Sequence, residues 1–203
     1  SYVRYLADQG YTVTGSHPSY DWFYNRRNVN GYLGIPTYYF LENRYSELSP
    51  VTIAPDSILF QEIYNLYAAN RDGAGGPYFS FNVTYQGHGP YDTEEVWRGD
   101  HYTDGRYSTE TANIVDTAEQ LAVLVDRLRQ EERPVVLVVF GDHKPWLGYS
   151  NSAYQELGVN LDTATEEGFY NYYSTRYLIW ANDAAKEALG EDFVGEGPDV
   201  SSC

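Results

Sequence analysis

The most constraining stretch of the chain is Val135-Val136-Leu137-Val138-Val139-Phe140, six apolar residues in a row with Pro134 before them and Gly141-Asp142-His143 after them. No polar residue alternates within it, so neither face is given to water, and the run reads as a strand buried on both faces in a parallel sheet. Upstream, Ile114, Ala118, Leu121, Val125 and Leu128 recur at three- and four-residue steps between Thr111 and Arg129, with Asp, Glu and Arg between them. That spacing predicts an amphipathic helix that lays its apolar stripe on a sheet and is stopped by Pro134.

The same reading extends along the chain. Tyr2 to Gln9 has the look of a helix end, Gly10 to Thr14 of a short strand turning at Gly15 and Pro18, and Ser57 to Ala69 of a helix with Ile58, Ile63 and Leu66 inward. Tyr78-Phe79-Ser80-Phe81-Asn82-Val83 is an aromatic and β-branched run that feeds a loop at Gln86-Gly87-His88-Gly89-Pro90. Tyr177 to Trp180 reads as a strand and Ala184 to Leu189 as a helix. Strands alternating with helices predict an α/β layered domain, in which ligands bind outside the carboxyl ends of the strands. His17, His88 and the pair Asp142-His143 all fall at such ends.

A chain of 203 residues suits one folded unit. Its formal net charge of −16 disfavours nucleic acid and anionic membrane surfaces, whose binding depends on Lys and Arg releasing counterions. A phosphate-bearing substrate would be repelled as well, so such chemistry needs a local cation, most simply a bound divalent metal. No stretch approaches the ~18 uninterrupted apolar residues of a membrane-spanning helix. Cys203 alone can form no intrachain disulfide. The lack of any Met and the abrupt end at Gly197-Pro198-Asp199-Val200-Ser201-Ser202-Cys203 read as a piece of a longer protein.

Asp142 and His143 pair a carboxylate oxygen with an imidazole nitrogen directly after a strand, a donor set suited to zinc or manganese; the alternative is an Asp that caps a turn beside a satisfied loop histidine. Arg26 can grip phosphate oxygens in bidentate fashion, against the alternative of a surface ion pair, and His88 can hydrogen-bond developing negative charge or protonate a leaving group. His101 sits in a polar loop and reads as solvated. Trp22, Tyr24, Trp146 and Tyr149 could line a cleft, though most of the 22 Tyr will be ordinary core and rim residues.

The string Val138-Val139-Phe140-Gly141-Asp142-His143-Lys144-Pro145-Trp146, preceded by Phe81-Asn82-Val83-Thr84-Tyr85-Gln86-Gly87-His88-Gly89-Pro90-Tyr91 and by Phe23-Tyr24-Asn25-Arg26, resembles the sulfatase-like catalytic domain of lipoteichoic acid synthase-type phosphoglycerol transferases. These are members of the alkaline phosphatase superfamily. The resemblance runs across nearly the whole chain in the right order. It implies a layered α/β fold with a mostly parallel central sheet flanked by helices, of which residues 1–203 would be a part truncated at both ends.

Residue by residue, the resemblance makes Asp142 and His143 ligands of the catalytic divalent metal, Mn2+ first, with Zn2+, Mg2+ and Ca2+ as alternatives. It makes His88 the catalytic contact to the substrate phosphate and Arg26 the grip on the same phosphoglycerol head group. Tyr24 stands where some members carry Trp and would offer a flat face to the glycerol carbons, and His17 lies in a segment at the site edge. A Thr nucleophile and a further acidic metal ligand would come from a segment before Ser1, so this piece alone is expected to be inactive. The implied reaction moves phosphoglycerol from a lipid donor such as phosphatidylglycerol to a cell-envelope polymer or glycan through a covalent intermediate. It would occur on the extracellular face of the cytoplasmic membrane, with a tether upstream. Two rivals are a sulfatase or phosphodiesterase that hydrolyses a soluble ester, and a non-catalytic carbohydrate- or wall-binding module.

Overall fold

Strand β1 (Thr12–Ser16) is the middle of a three-stranded sheet, with β2 (Thr37–Tyr39) and β3 (Tyr78–Asn82) on its two sides, both parallel to it. The computed structural model describes residues 1–89, 108–145, 152–195 and 200–201. The chain divides into two compact units, Ser1–Val125 and Asp126–Cys203.

In the first unit, parallel pairing demands helical crossovers, and the chain supplies them. Helix α1 (Tyr2–Asp8) precedes β1, α2 (Arg26–Leu33) links β1 to β2, and α3 (Ser46–Leu48) and α4 (Asp56–Asp72) lie between β2 and β3. The core is Val13, Ile35, Tyr38 and Phe40, with Val3, Tyr11, Phe79 and Phe81 packed against it. A π-helical turn, Leu41–Tyr45, follows β2. Asn43 holds it, its Oδ1 accepting from the Phe40 backbone N–H at 2.7 Å and its Nδ2 donating to the Tyr38 carbonyl at 3.0 Å. The layered α/β arrangement with a parallel sheet flanked by helices is thus the one the sequence predicts.

Three local expectations change. Gly15 lies inside β1, paired with Tyr38 and Phe81, because its bare Cα lets both neighbouring strands close on it. In α4 the fully buried side is Asp56, Leu59, Phe60 and Glu62, while Ile58, Ile63 and Leu66 are half-buried. In α5 (Ser108–Arg129), Leu128 is buried and Leu121 and Val125 half-buried, but Ile114 and Ala118 are exposed. The inward side of this helix's first half is polar: Asp116 is fully buried and accepts from Gln86 of the loop after β3 and from Gln120 one turn along α5, while Thr117 donates to Asp56 of α4.

In the second unit, β4 (Val136–Phe140) pairs antiparallel with β6 (Tyr177–Ala181), and β5 (Ser174–Thr175) with β7 (Val200–Ser201). Among the described residues the neighbour of β4 is the antiparallel β6, where the sequence predicts a parallel one. Alternate residues Val136, Val138 and Phe140 are exposed, so among the described residues the apolar run is covered on one side only. Short helices α6 (Ser152–Glu156) and α7 (Glu166–Tyr173) precede β5, and α8 (Asp183–Leu189) follows β6. Asn182, 1% exposed, ties this unit together: its Oδ1 accepts from the backbone N–H groups of Val135 and Ala185, and its Nδ2 donates to the carbonyls of Glu131 and Arg133.

Candidate active site

The carboxyl ends of β1 and β3 carry the first set of predicted residues. Past Ser16 the chain runs beside the segment that follows β2: the His17 backbone N–H donates to the Tyr39 carbonyl, the Leu41 N–H to the Ser19 carbonyl, and the Asp21 N–H to the Glu42 carboxylate. These bonds bury His17, Pro18 and Ser19 and fix where the following aromatic turn begins.

That turn is held in a costly shape. Tyr24 and Asn25 are consecutive residues with positive φ, 52° and 55°, in the left-handed region that disfavours side chains by about 1–2 kcal/mol per residue. Such conformations survive where surrounding contacts over-determine them, and they cluster at functional sites. Here the contacts are aromatic: Phe23 packs edge-on against Tyr24, Tyr85 and His88. Tyr24 lies within 3.3 Å of His88 Nε2 through its hydroxyl, and the Arg26 guanidinium stands 5.6 Å from the Tyr24 ring centre.

The loop after β3 approaches from the other side. The Val83 backbone N–H donates to the Ser16 carbonyl, and the His88 N–H donates back to the Tyr85 carbonyl, closing a tight turn. Tyr85 and His88 stack at 5.0 Å with rings 11° apart, and Tyr85 meets His17 edge-on. His17, Tyr24, Arg26 and His88 are therefore brought together on one edge of the sheet, with the unanticipated Phe23 and Tyr85 as the ring scaffold between them. Both scaffold residues sit inside the motifs that carry the resemblance, which is the signal that pointed near them.

Charge and tautomer follow from the surroundings. His17 is 1% exposed, and burial lowers its pKa to about 4; the Val83 carbonyl opposes this, while nearby Arg26 and His88 add to it. A neutral His17 donates Nδ1–H to the Val83 carbonyl at 3.0 Å, which leaves Nε2 as a lone-pair acceptor. That Nε2 is buried and has no hydrogen-bond partner among the described residues, and the same holds for Arg26 Nε. His88 turns its Nδ1 to the Gly89 carbonyl, so its Nε2 faces the Tyr24 hydroxyl. The edge offers one guanidinium and two histidines in a chain of net charge −16.

Asp142 and His143 belong to the second unit, directly after β4. Their turn is pinned to the β5–β6 segment: the Thr175 hydroxyl donates to the Gly141 carbonyl at 2.8 Å, the Gly141 N–H donates to the Arg176 carbonyl, and Lys144 Nζ donates to the Ser174 carbonyl. His143 Nδ1 faces the Lys144 carbonyl at 2.9 Å, which leaves Nε2 on the side of Asp142 Oδ2, 3.6 Å away. Two donors at tetrahedral positions around one ion stand about 3.4 Å apart, and a carbonyl on the far ring nitrogen is the usual way to orient a metal-binding His. The pair therefore fits two ligands of one divalent ion. Both side chains are mostly exposed, and no third metal donor joins them among the described residues. Pro90, Tyr91, His101, Trp146, Tyr149 and Cys203 lie outside the described residues.

The α/β fold with its parallel sheet flanked by helices is shared by a solved protein of the alkaline phosphatase superfamily from Vibrio parahaemolyticus, with a TM-score of 0.66 at 18% identity over 90% of this chain and 41% of that one. The chain belongs to the Sulfatase family, whose pattern matches residues 2–195 and so runs across both units. It is similar to the Streptococcus pyogenes phosphoglycerol transferase GacH in complex with sn-glycerol-1-phosphate (TM-score 0.59, 22% identity, 86% of this chain and 44% of that one). It is also similar to the lipoteichoic acid synthase LtaP from Listeria monocytogenes (TM-score 0.64, 16% identity, 90% of this chain and 45% of that one). Among curated proteins it is 26% identical over 193 residues to a putative cyclic beta-1,2-glucan modification protein of Rhizobium meliloti, covering 90% of this chain and 29% of that protein. The chain thus spans less than half the length of each of these relatives.

Proposed function

We propose that the chain carries the substrate-binding edge and part of the metal site of an enzyme that transfers phosphoglycerol from a lipid donor to a cell-envelope glycan or polymer. The observation that supports this most is the convergence of His17, Tyr24, Arg26 and His88 on one sheet edge. Each has a role its geometry suits. Arg26 offers a charge-assisted grip on phosphoryl oxygens, and Tyr24 a flat face to the glycerol carbons. His17, held neutral with its buried Nε2 left without a partner among the described residues, would accept a hydrogen bond from a glycerol hydroxyl that reaches it.

The reaction we infer has two halves. A threonine oxygen outside these 203 residues forms a bond to phosphorus while the bond to the diacylglycerol oxygen breaks; an acceptor hydroxyl then takes the phosphoglycerol from the threonine. His88, once protonated at Nε2, supplies the proton that the departing oxygen needs, with Tyr24 turning aside from that nitrogen. Asp142 and His143 would hold a divalent ion, manganese in the first instance, and the chemistry such an ion supplies is neutralisation of phosphoryl charge and activation of the nucleophile. By resemblance the enzyme works on the outer face of the cytoplasmic membrane. No helix among the described residues is long and apolar enough to cross one.

The test uses the full-length protein with Mn2+ and phosphatidylglycerol labelled in its terminal glycerol. Diacylglycerol and a labelled polymer should appear, and His88→Ala should slow transfer by about 100-fold or more. Release of free glycerol phosphate to water would make it a hydrolase. Glycan binding that needs no metal and survives Asp142→Ala, with no turnover, would make it a binding module.

A further inference from the structure

Two residues before His88, the side chain of Gln86 makes three hydrogen bonds in three directions. Its Oε1 accepts from the Asp56 backbone N–H at 3.1 Å, at the first turn of α4. Its Nε2 donates to Asp116 Oδ2 at 2.9 Å and to the Asn113 carbonyl at 3.2 Å, both on α5. The amide thus ties the His88 turn to the start of α4 and to the body of α5 at once, and its polarity is fixed: the oxygen must face an N–H and the nitrogen a carboxylate.

The groups it meets are buried and organised. Asp56 and Asp116 are each fully buried. The Thr117 hydroxyl donates to Asp56 Oδ2 at 2.6 Å, and Gln120 Nε2 donates to Asp116 Oδ1 at 3.2 Å. Burial pushes the Asp56 carboxyl up to about 6; Thr117 and the backbone N–H groups of Tyr85 and Gln86 pull it down, while Asp116 pushes it further up. Two acidic groups stand side by side here, and Gln86 brings a donor to one of them and an acceptor to the helix end beside the other. A side chain that only filled space would not need this pairing, and each of the three bonds Gln86 makes is to a group held on a helix.

We propose that Gln86 is the positioning residue of the His88 turn, locking through Asp56, Asn113 and Asp116 the orientation in which Tyr85 stacks on His88. This rests on the reading of His88 as a phosphate contact, but the geometric part is independent of it. Without the clamp, the short turn closed by the His88 N–H and the Tyr85 carbonyl would sample other arrangements, and the His88 ring would lose its fixed aim. Gln86 touches neither His88 Nε2 nor any group that would meet phosphate, so it acts through His88 alone.

The experiment compares the protein with Gln86→Leu, which keeps the shape and removes all three bonds, and with Gln86→Glu, which keeps the acceptor and loses the donor. Without ligand, the His88 amide should exchange with solvent at least tenfold faster in Gln86→Leu, and nuclear Overhauser contacts between the Tyr85 and His88 rings should weaken. With sn-glycerol-1-phosphate as probe, both variants should bind at least tenfold more weakly at pH 7.5. The deficit of Gln86→Glu relative to the parent should shrink towards pH 5, because a protonated carboxyl again donates to Asp116; that of Gln86→Leu should stay constant. Comparison at equal pH cancels the titration of ligand and histidines. A folded Gln86→Leu with parental exchange and ring contacts overturns the proposal. Faster exchange with no binding of the probe by any form, the parent included, upholds the clamp and sinks the phosphate reading instead. If Gln86→Leu does not fold, Gln86→Glu carries the test, and an acid-insensitive deficit in it overturns the proposal.

Discussion

Gly15→Ala should destabilise the first unit by about 3 kcal/mol or more, a large share of the total for a domain of this size. The added Cβ would stand 2.5 Å from the Phe81 carbonyl oxygen and closer still to the ring of Tyr38. Neither can yield cheaply. Phe81 belongs to β3, paired with Gly15 in the ladder, and Tyr38 is buried in the core with its hydroxyl donating to the Ser16 carbonyl. Relief must come from prising β1 away from one neighbour, which would also disturb His17 one residue beyond the strand. Urea unfolding of the two proteins measures the difference; a loss under ~1 kcal/mol would mean that the strands have room that the geometry denies them.

Asn182→Ala should cost the second unit a similar amount, about 3 to 4 kcal/mol. Loss of the N-cap on α8 accounts for about 1 kcal/mol. The rest comes from the Val135 N–H and the Glu131 and Arg133 carbonyls, which lose their partner and are worth about 1 kcal/mol or more apiece where water cannot replace it. Asn182→Ser, which can still cap, should recover about 1 kcal/mol of the loss in the same unfolding measurement. Equal stability of the Ala and parent chains would show that the hub is open to water. Because Asn182 sets where β4 starts against β6, the variant should also loosen the turn at Asp142 and His143.

Much of the fold was legible because its helices and strands follow periodic apolar patterns: α1, β1, β3, α5, β4, β6 and α8 were all placed within a few residues of their observed bounds. The misreadings share one physical origin. Counting apolar residues alone puts Ile114 and Ala118 on the inner face of α5, whereas Asp116 is the residue buried there, satisfied by Gln120 one turn on and by Gln86, which lies 30 residues before it. Likewise a run such as Val135–Phe140 announces a strand but not its neighbour; the antiparallel partner β6 is selected by pairing some forty residues away. Glycine at position 15 looked like punctuation, and only the closeness of Tyr38 and Phe81 shows it as a packing requirement.

The candidate site was legible to a different degree. Tyr24, Arg26 and His88 lie in the motifs that carry the resemblance and His17 in a segment at the site edge, and the structure gathers these four on one edge. The reasons they converge are hidden, since the left-handed turn at Tyr24-Asn25 is packed through Phe23 against Tyr85 and His88, far along the sequence. For Asp142 and His143 the structure adds a fitting pair geometry and the bonds that orient it.

Recognition of phosphoglycerol by this edge is tested by titrating the 203-residue chain with sn-glycerol-1-phosphate and following the ring protons of its 4 histidines. Recognition at this edge should give saturable shifts at His17 and His88 and at least tenfold weaker binding in Arg26→Ala. Parental affinity in Arg26→Ala, or shifts confined to His101 and His143, would contradict it.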